Sequence, residues 1–182
     1  MKKDDKAPTL VDFNIAQLLK QPTGAAREYP LQEDIKGLDR SLDPIELLTG
    51  KVKLIRTKGG VLITLSGKTT LRVACSRCLD PVAVPVVLSF EEEFFQTVDV
   101  VTGMSLGTPR DDPAVLIDGH HEVHLVDVIR EYLLTSLPMH PLCRDDCKGL
   151  CQQCGHNLNE GPCGHSAHAG DERWAALKEL LK

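Results

Sequence analysis

Polar and apolar positions alternate through Lys51-Val52-Lys53-Leu54-Ile55-Arg56, and an apolar run Val61-Leu62-Ile63-Thr64-Leu65 follows the turn signal Lys58-Gly59-Gly60. Side chains of a strand point to opposite faces in turn, so this pattern predicts a β-hairpin. The second strand resumes through Thr69 to Val73, and Gly67 inside it predicts a bulge. A further strand is predicted from Val82 to Phe95. Pro81 and Pro85 near its start suit an edge or a bulge, because proline cannot donate to a ladder. Leu125, Val128, Ile129, Tyr132 and Leu133 recur at helical spacing, and Pro138 closes that helix.

The flanks carry weaker patterns. Phe13, Ala16 and Leu19 give a loose helical rhythm that Asp12 would cap and Pro22 and Gly24 would end. One strand is expected near Tyr29–Ile35, and a short strand or turn in 115–123. The stretch 97–113 is rich in Gly, Pro and Asp without a period, which predicts a mobile loop. A last helix should start near Asp171, with Trp174, Leu177, Leu180 and Leu181 on one face. The fold class this implies is α+β: an antiparallel, partly curled sheet body with two or three helices and a stapled, Cys-rich C-terminal loop region. The expected organisation is a lead-in (1–44), a sheet with a helix (45–138) and a Cys-rich tail with a terminal helix (139–182), folding as one cooperative domain.

Charge changes this picture by segregating. Residues 45–88 carry seven Lys/Arg against two Asp/Glu, and residues 89–135 carry ten acidic against two basic residues. The first run offers Lys51, Lys53, Arg56, Lys58, Lys68, Arg72 and Arg77 as candidate phosphate contacts. The second is poorly suited to nucleic acid. The net charge of -5 argues against indiscriminate nucleic-acid coating, and 4% aromatic residues argue against a large base-stacking platform. No apolar run is long enough for a membrane span, and no apolar signal segment follows MKKDDK. A cytoplasmic, reducing location is therefore expected.

In such a compartment, clustered cysteines point to metal or redox chemistry. The seven cysteines and one histidine fall into four pairs: Cys75-x2-Cys78, Cys143-x3-Cys147, Cys151-x2-Cys154 and Cys163-x-His165. Zinc takes four such ligands at tetrahedral angles, and a short loop supplies two at a time. Gly155, directly after Cys154, fits a metal-binding knuckle that needs a positive φ. The compact pairing joins Cys151, Cys154, Cys163 and His165, with His168 as an alternative last ligand. It leaves Cys143 and Cys147 for Cys75 and Cys78. Two closed structural Zn2+ sites result, the first of which would pin the tail to a distant strand. Reduced, buried cysteines and a thiol–disulfide switch are the competing readings. His120, His121, His124, His140 and His156 read as surface or turn residues. Asn157 and Asn159 read as partners of turn backbones, and Glu91, Glu92 and Glu93 alternate faces of a strand.

These residues are similar to those of the YceD family of bacteria and plastids, the large ribosomal RNA subunit accumulation proteins. The resembling motifs are Cys75-Ser-Arg-Cys78-Leu79, Phe90-Glu91-Glu92-Glu93-Phe94 and Leu137-Pro138. The most specific are Cys143-x3-Cys147-Lys148-Gly149-Leu150-Cys151-x2-Cys154-Gly155-x-Asn157-Leu158-Asn159 and Asp171-x-Arg173. Many relatives end the cluster with Cys-x-Cys, whereas His165 stands last here. Some lose the second ligand set and keep the first, which supports the pairing above. The resemblance implies a role in synthesis, processing or accumulation of large-subunit ribosomal RNA. The implied partners are precursor RNA or a large-subunit ribosomal protein, with no enzymatic activity and no small-molecule substrate.

Two other classes compete. A zinc-dependent nucleobase deaminase needs His-x-Glu followed by Pro-Cys-x2-Cys. His120-His121-Glu122 precedes Cys151-x2-Cys154, but Leu150 stands where proline should. A zinc or thiol redox regulator needs an exposed thiol pair of low pKa.

Overall fold

A computed structural model describes residues 12–107 and 112–165. The helix expected near Asp171, with Trp174, lies outside them, as does His168.

The body is mainly sheet. A six-stranded sheet follows the order β2 (Ala26–Glu33), β4 (Leu48–Arg56), β5 (Gly60–Ala74), β6 (Pro81–Gln96) and β7 (Leu116–Ile117), with β3 (Asp43–Pro44) pairing β5. All pairings in it are antiparallel except β6 with β7. A separate two-stranded ribbon pairs β1 (Asp12–Asn14) with β8 (Glu122–His124). Two α-helices complete the described chain: a single turn, α1 (Ala16–Leu19), and α2 (Val126–Ser136).

Alternation sets the faces. Val52 and Leu54 of β4, Ile63, Leu65 and Leu71 of β5, and Leu88 and Phe94 of β6 are buried on the inner side. Against them pack Leu18, Leu19 and the α2 residues Val128, Ile129 and Leu133, forming one continuous core. At roughly 25 cal/mol per Å² of apolar area, such burial is the main force holding the body together. Tyr132 of α2 stacks on Phe90 at 4.8 Å and donates its hydroxyl to Glu92. Glu92 therefore faces the helix while Glu91 and Glu93 belong to the opposite face, as strand alternation requires. The helix ends at Leu137, whose extended backbone (ψ 140°) is the conformation a following proline imposes.

Several expectations are corrected. Asp12 does not cap a helix. It begins β1, because a partner more than a hundred residues away, β8, supplies backbone bonds that local pattern cannot announce. Gly67 makes no bulge: the register runs unbroken through Gly50↔Gly67 and Gly67↔Leu88. Its neighbour in the ladder explains the small residues there. A Cβ at Gly50 would lie 2.1 Å from the Ser66 carbonyl oxygen, so close strand approach demands glycine. The stretch 97–113 is not a featureless loop in its described part. Val98 bridges Ser105, and the Asp99 carboxylate accepts the Val101 and Thr102 backbone N–H groups. Asp112 caps a 3-10 turn, Pro113–Val115. Pro81 and Pro85 do lie at an edge, since the only partner of β6 other than β5 among the described residues is β7, at Phe95 and Gln96.

Candidate metal centres

The long strands β5 and β6 end in a turn that carries Cys75 and Cys78. The Cys75 backbone N–H donates to the Asp80 carbonyl (2.8 Å), and the Leu79 N–H donates to the Cys75 carbonyl (3.0 Å). The later turn repeats this arrangement residue for residue: Cys151 N–H to the His156 carbonyl (2.8 Å), and Gly155 N–H to the Cys151 carbonyl (2.8 Å). Both turns need a left-handed residue one place after the second cysteine, and there Leu79 has φ 63° and Gly155 φ 71°. The glycine signal was legible in sequence, whereas the same backbone at Leu79 was hidden behind an ordinary side chain.

These turns present sulfur atoms to two groups of four ligands. Cys75, Cys78, Cys143 and Cys147 form one; Cys151, Cys154, Cys163 and His165 form the other; within each, the ligand atoms all lie within 4.8 Å of one another. The fold thus brings together the cysteines paired by spacing, with His165 beside the second set, while the alternative ligand His168 lies outside the described residues. In the first group the Cys75 and Cys147 sulfurs are 3.9 Å apart and those of Cys78 and Cys143 3.6 Å apart. Tetrahedral Zn–S bonds of about 2.3 Å place sulfurs about 3.8 Å apart. All seven cysteines are free thiols.

Electrostatics within each group favour a cation. Cys75 is pulled down to about 6, first by the backbone N–H of Cys78 and then by that of Arg77. At Cys78 the Asp80 backbone N–H pulls down, yet burial and the neighbouring Cys75 and Cys143 thiols push the group up. In the second group Cys151 falls to about 6 through the Cys154 and Gln153 backbone N–H groups. Cys154 rises, because burial and Cys151 and Cys163 outweigh the His156 N–H. Three or four thiols this close cannot all ionise alone, and a divalent ion is what would allow them to. The two groups can therefore hold metal. One offers four sulfurs and the other three sulfurs with one imidazole nitrogen, and both donor sets suit zinc.

The tail is seated on the first turn by further bonds. Ser76 donates both its backbone N–H and its hydroxyl to the Pro141 carbonyl, each at 2.8 Å. The Arg77 guanidinium donates to the Cys147 carbonyl at 2.9 Å. Asn159 Nδ2 donates to the Cys147 sulfur (3.4 Å), and Asn157 Nδ2 to the Asp80 carboxylate (2.7 Å). Sequence reasoning assigned both asparagines to turn backbones. Asn159 does accept the Lys148 N–H (2.8 Å), but the contacts to Asp80 and to sulfur went unseen. They join residues that only the folded chain places side by side.

The basic residues separate into three kinds. Arg56 donates to the carbonyls of Leu19, Thr57 and Gly60, and Arg77 to that of Cys147, so both guanidiniums hold backbone. Lys51 and Arg72 form exposed ion pairs with Glu28 (3.4 Å) and Asp43 (3.1 Å). Lys53, Lys58 and Lys68 have no ion-pair partner among the described residues. The register places Lys51, Lys53, Lys68 and Arg72 on the solvent face of the sheet, where Lys51 and Lys68 line a shallow groove with Ser66 and Val87.

A third group joins Asp118, Glu122 and His124. His124 pairs with Asp12 (2.8 Å) and Asp118 (3.5 Å), which ties β1 to β8. Glu122 thus sits among these side chains and in neither cysteine group, so the pieces of the deaminase signature are not assembled into one centre.

Comparison with known proteins follows the same residues. The model of the family described as large ribosomal RNA subunit accumulation protein YceD matches residues 63–181, a span that holds all eight cysteine-group ligands. An uncharacterized protein of Mycobacterium tuberculosis is 33% identical over 141 residues, 78% of this chain and 65% of its own length. An uncharacterized protein of Mycobacterium leprae is 32% identical over 59% of this chain and 46% of its own. A chloroplastic protein of Arabidopsis thaliana named as a large ribosomal RNA subunit accumulation protein, YCED homolog 1, is 24% identical over 71% of this chain and 47% of its own. This chain therefore spans less than two thirds of the length of these relatives. No solved structure matches it. With the family model covering well over half of the chain and every paired ligand, the chain belongs to the YceD family, the large ribosomal RNA subunit accumulation proteins.

Proposed function

We propose that this protein is a non-enzymatic factor in large-subunit ribosome biogenesis, supporting the synthesis, processing or accumulation of large-subunit ribosomal RNA. The family match over residues 63–181 carries this reading. The cysteine groups act in it as two structural Zn2+ sites, Cys75/Cys78/Cys143/Cys147 and Cys151/Cys154/Cys163/His165. Both sets are closed by four protein ligands, which suits scaffolding and leaves no open position for a reacting water. Free thiols suit a reducing compartment such as the cytoplasm. Sheet, helix and tail are read as one cooperative unit, since β1, β2 and β3 of the lead-in all pair with strands of the body.

Lys53, Lys58 and Lys68, with the exposed Lys51 and Arg72, are the proposed RNA-facing residues. Lysines serve phosphates as point charges without reading sequence. Arg56 and Arg77 shape the fold and are secondary in this role. The acidic stretch 89–135 is the proposed face toward a basic ribosomal protein.

Gradient sedimentation of the tagged protein from gently lysed cells, with ribosomal RNA profiled after depletion, tests the proposal. Co-migration with large-subunit precursors and a deficit of large-subunit RNA on depletion are expected. Release should follow a rise in salt, because each phosphate contact adds to the salt slope. Protein confined to the top of the gradient, with normal ribosomal RNA, would overturn it.

A further inference from the structure

The two cysteine groups are not independent in the fold. The segment 156–159 leaves the second knuckle and finishes on the first group. His156 closes the Cys151 turn with its carbonyl. Asn157 bridges to Leu150 through backbone and reaches the Asp80 carboxylate by side chain (2.7 Å). Asp80 itself closes the first knuckle through its carbonyl. Leu158 N–H donates to the Gly149 carbonyl (2.9 Å). Asn159 then places Nδ2 against both the Cys147 sulfur (3.4 Å) and the Asn157 side-chain Oδ1 (2.8 Å), while its Oδ1 takes the Lys148 N–H. A single short segment is thereby part of the second turn and the outer layer of the first metal group.

We propose that the two groups bind divalent metal cooperatively, with Asn159 as the positioning residue through which occupancy of the second group strengthens the first. The inference rests on the reading of both groups as metal sites and is separate from the ribosomal role. Four thiolates around a divalent ion leave two excess negative charges, and an N–H donated to one sulfur relieves part of that charge. The donor is in place only when 156–159 is ordered. Metal in the Cys151/Cys154/Cys163/His165 group fixes that segment beforehand, so the first group need not order it on binding. Linkage makes the effect reciprocal: filling the first group must strengthen the second by the same factor.

The test uses the full chain, competing Zn2+ against a chromogenic chelator and substituting Co2+ to follow each group by its own thiolate-to-metal absorption. Wild type should take up two ions. Cys154→Ser should weaken the first group on the order of 10–100-fold, the range typical for loss of an outer-layer partner. Asn159→Ala should weaken it comparably while both groups still fill. It should also shift the first group's charge-transfer band and leave the second group's band in place, a signature that mere loss of packing would not give. In the Asn159→Ala background, Cys154→Ser should add little further loss at the first group. Two ions in wild type and one in Cys154→Ser with equal first-group affinity, or fully additive losses, would overturn the coupling. Fewer than two ions in wild type would overturn it together with the two-site reading, and is seen before any variant is made.

Discussion

In the sheet body, Leu54, Ile63, Leu65, Leu88 and Phe94 are completely withdrawn from water and belong to one continuous core. Among the described residues, the tail shares with the β5–β6 turn a small buried cluster of Cys75, Cys78 and Cys147, with Val82, Leu142 and Leu150 beside it. The first region has enough apolar area to offset the entropy of ordering its backbone. The described part of the second buries far less, and in the proposed reading its order depends on metal held by the sulfur groups. Similar turns thus sit in different surroundings: the β5–β6 turn joins two long paired strands of the body, while the Cys151 turn lies in the tail with little apolar burial among the described residues.

The comparison can be broken from either side. The largest effect should come from the first metal group, because structural zinc contributes on the order of 10–16 kcal/mol of apparent binding in small folded peptides. Cys75→Ser or Cys147→Ser should lower the melting temperature far more than Cys163→Ser, since the first group ties positions some seventy residues apart and the second closes a local loop. Equal losses in paired thermal melts would contradict this division. Phe94→Ala should cost about 3–5 kcal/mol through a cavity in the core. Its metal content should stay at the wild-type value, and loss of metal in a variant that remains folded would show that the regions are less separate than described.

A smaller effect sharpens the comparison of the two knuckles. Leu79 adopts a left-handed conformation with its side chain 65% exposed, so it bears the steric cost without compensating packing. Leu79→Gly should raise stability by about 1 kcal/mol or less in denaturant titration, whereas Gly155→Leu should lower it. A fall on Leu79→Gly would mean that the side chain makes a contact the described residues do not account for.

The smallest effect belongs to the β1–β8 ribbon. Asp12 first of all, then Asp118, raises the pKa of His124. That contribution is complete below the unfolded value of about 6.5 and is lost as pH rises through the raised native value. Asp118 behaves oppositely. Burial works against its charge, but the Glu122 and His120 N–H groups and His124 together lower its pKa. Its contribution is present above about 4 and is lost as pH falls through the lowered native value. The ribbon should be firmest between about pH 4 and 6.5. The half-exposed pair limits the effect to under about 1 kcal/mol. The melting difference between wild type and His124→Gln should shrink from pH 6 to pH 9; a constant difference would remove the ion pairs from the account.

Much of this was legible in sequence because it rests on short-range chemistry. The alternation in 51–56 and 61–65, the helical spacing of Val128, Ile129 and Leu133, the edge prolines and the four ligand pairs all express local rules. What was misread depends on distant partners. Asp12 pairs with His124, and Gly50 and Gly67 face each other across two strands. Asn159 is the clearest case: its residue type announces a turn, and only the folded chain sets it against the Cys147 sulfur.

Native mass spectrometry of the intact chain, with cysteine alkylation to report which thiols are protected, tests the central claim that metal organises the region beyond the body. Two zinc ions per chain are expected, with all seven cysteines protected, and one ion should remain in Cys163→Ser with Cys75, Cys78, Cys143 and Cys147 still protected. A wild-type chain that carries no metal and alkylates at every cysteine while the body stays folded would contradict it.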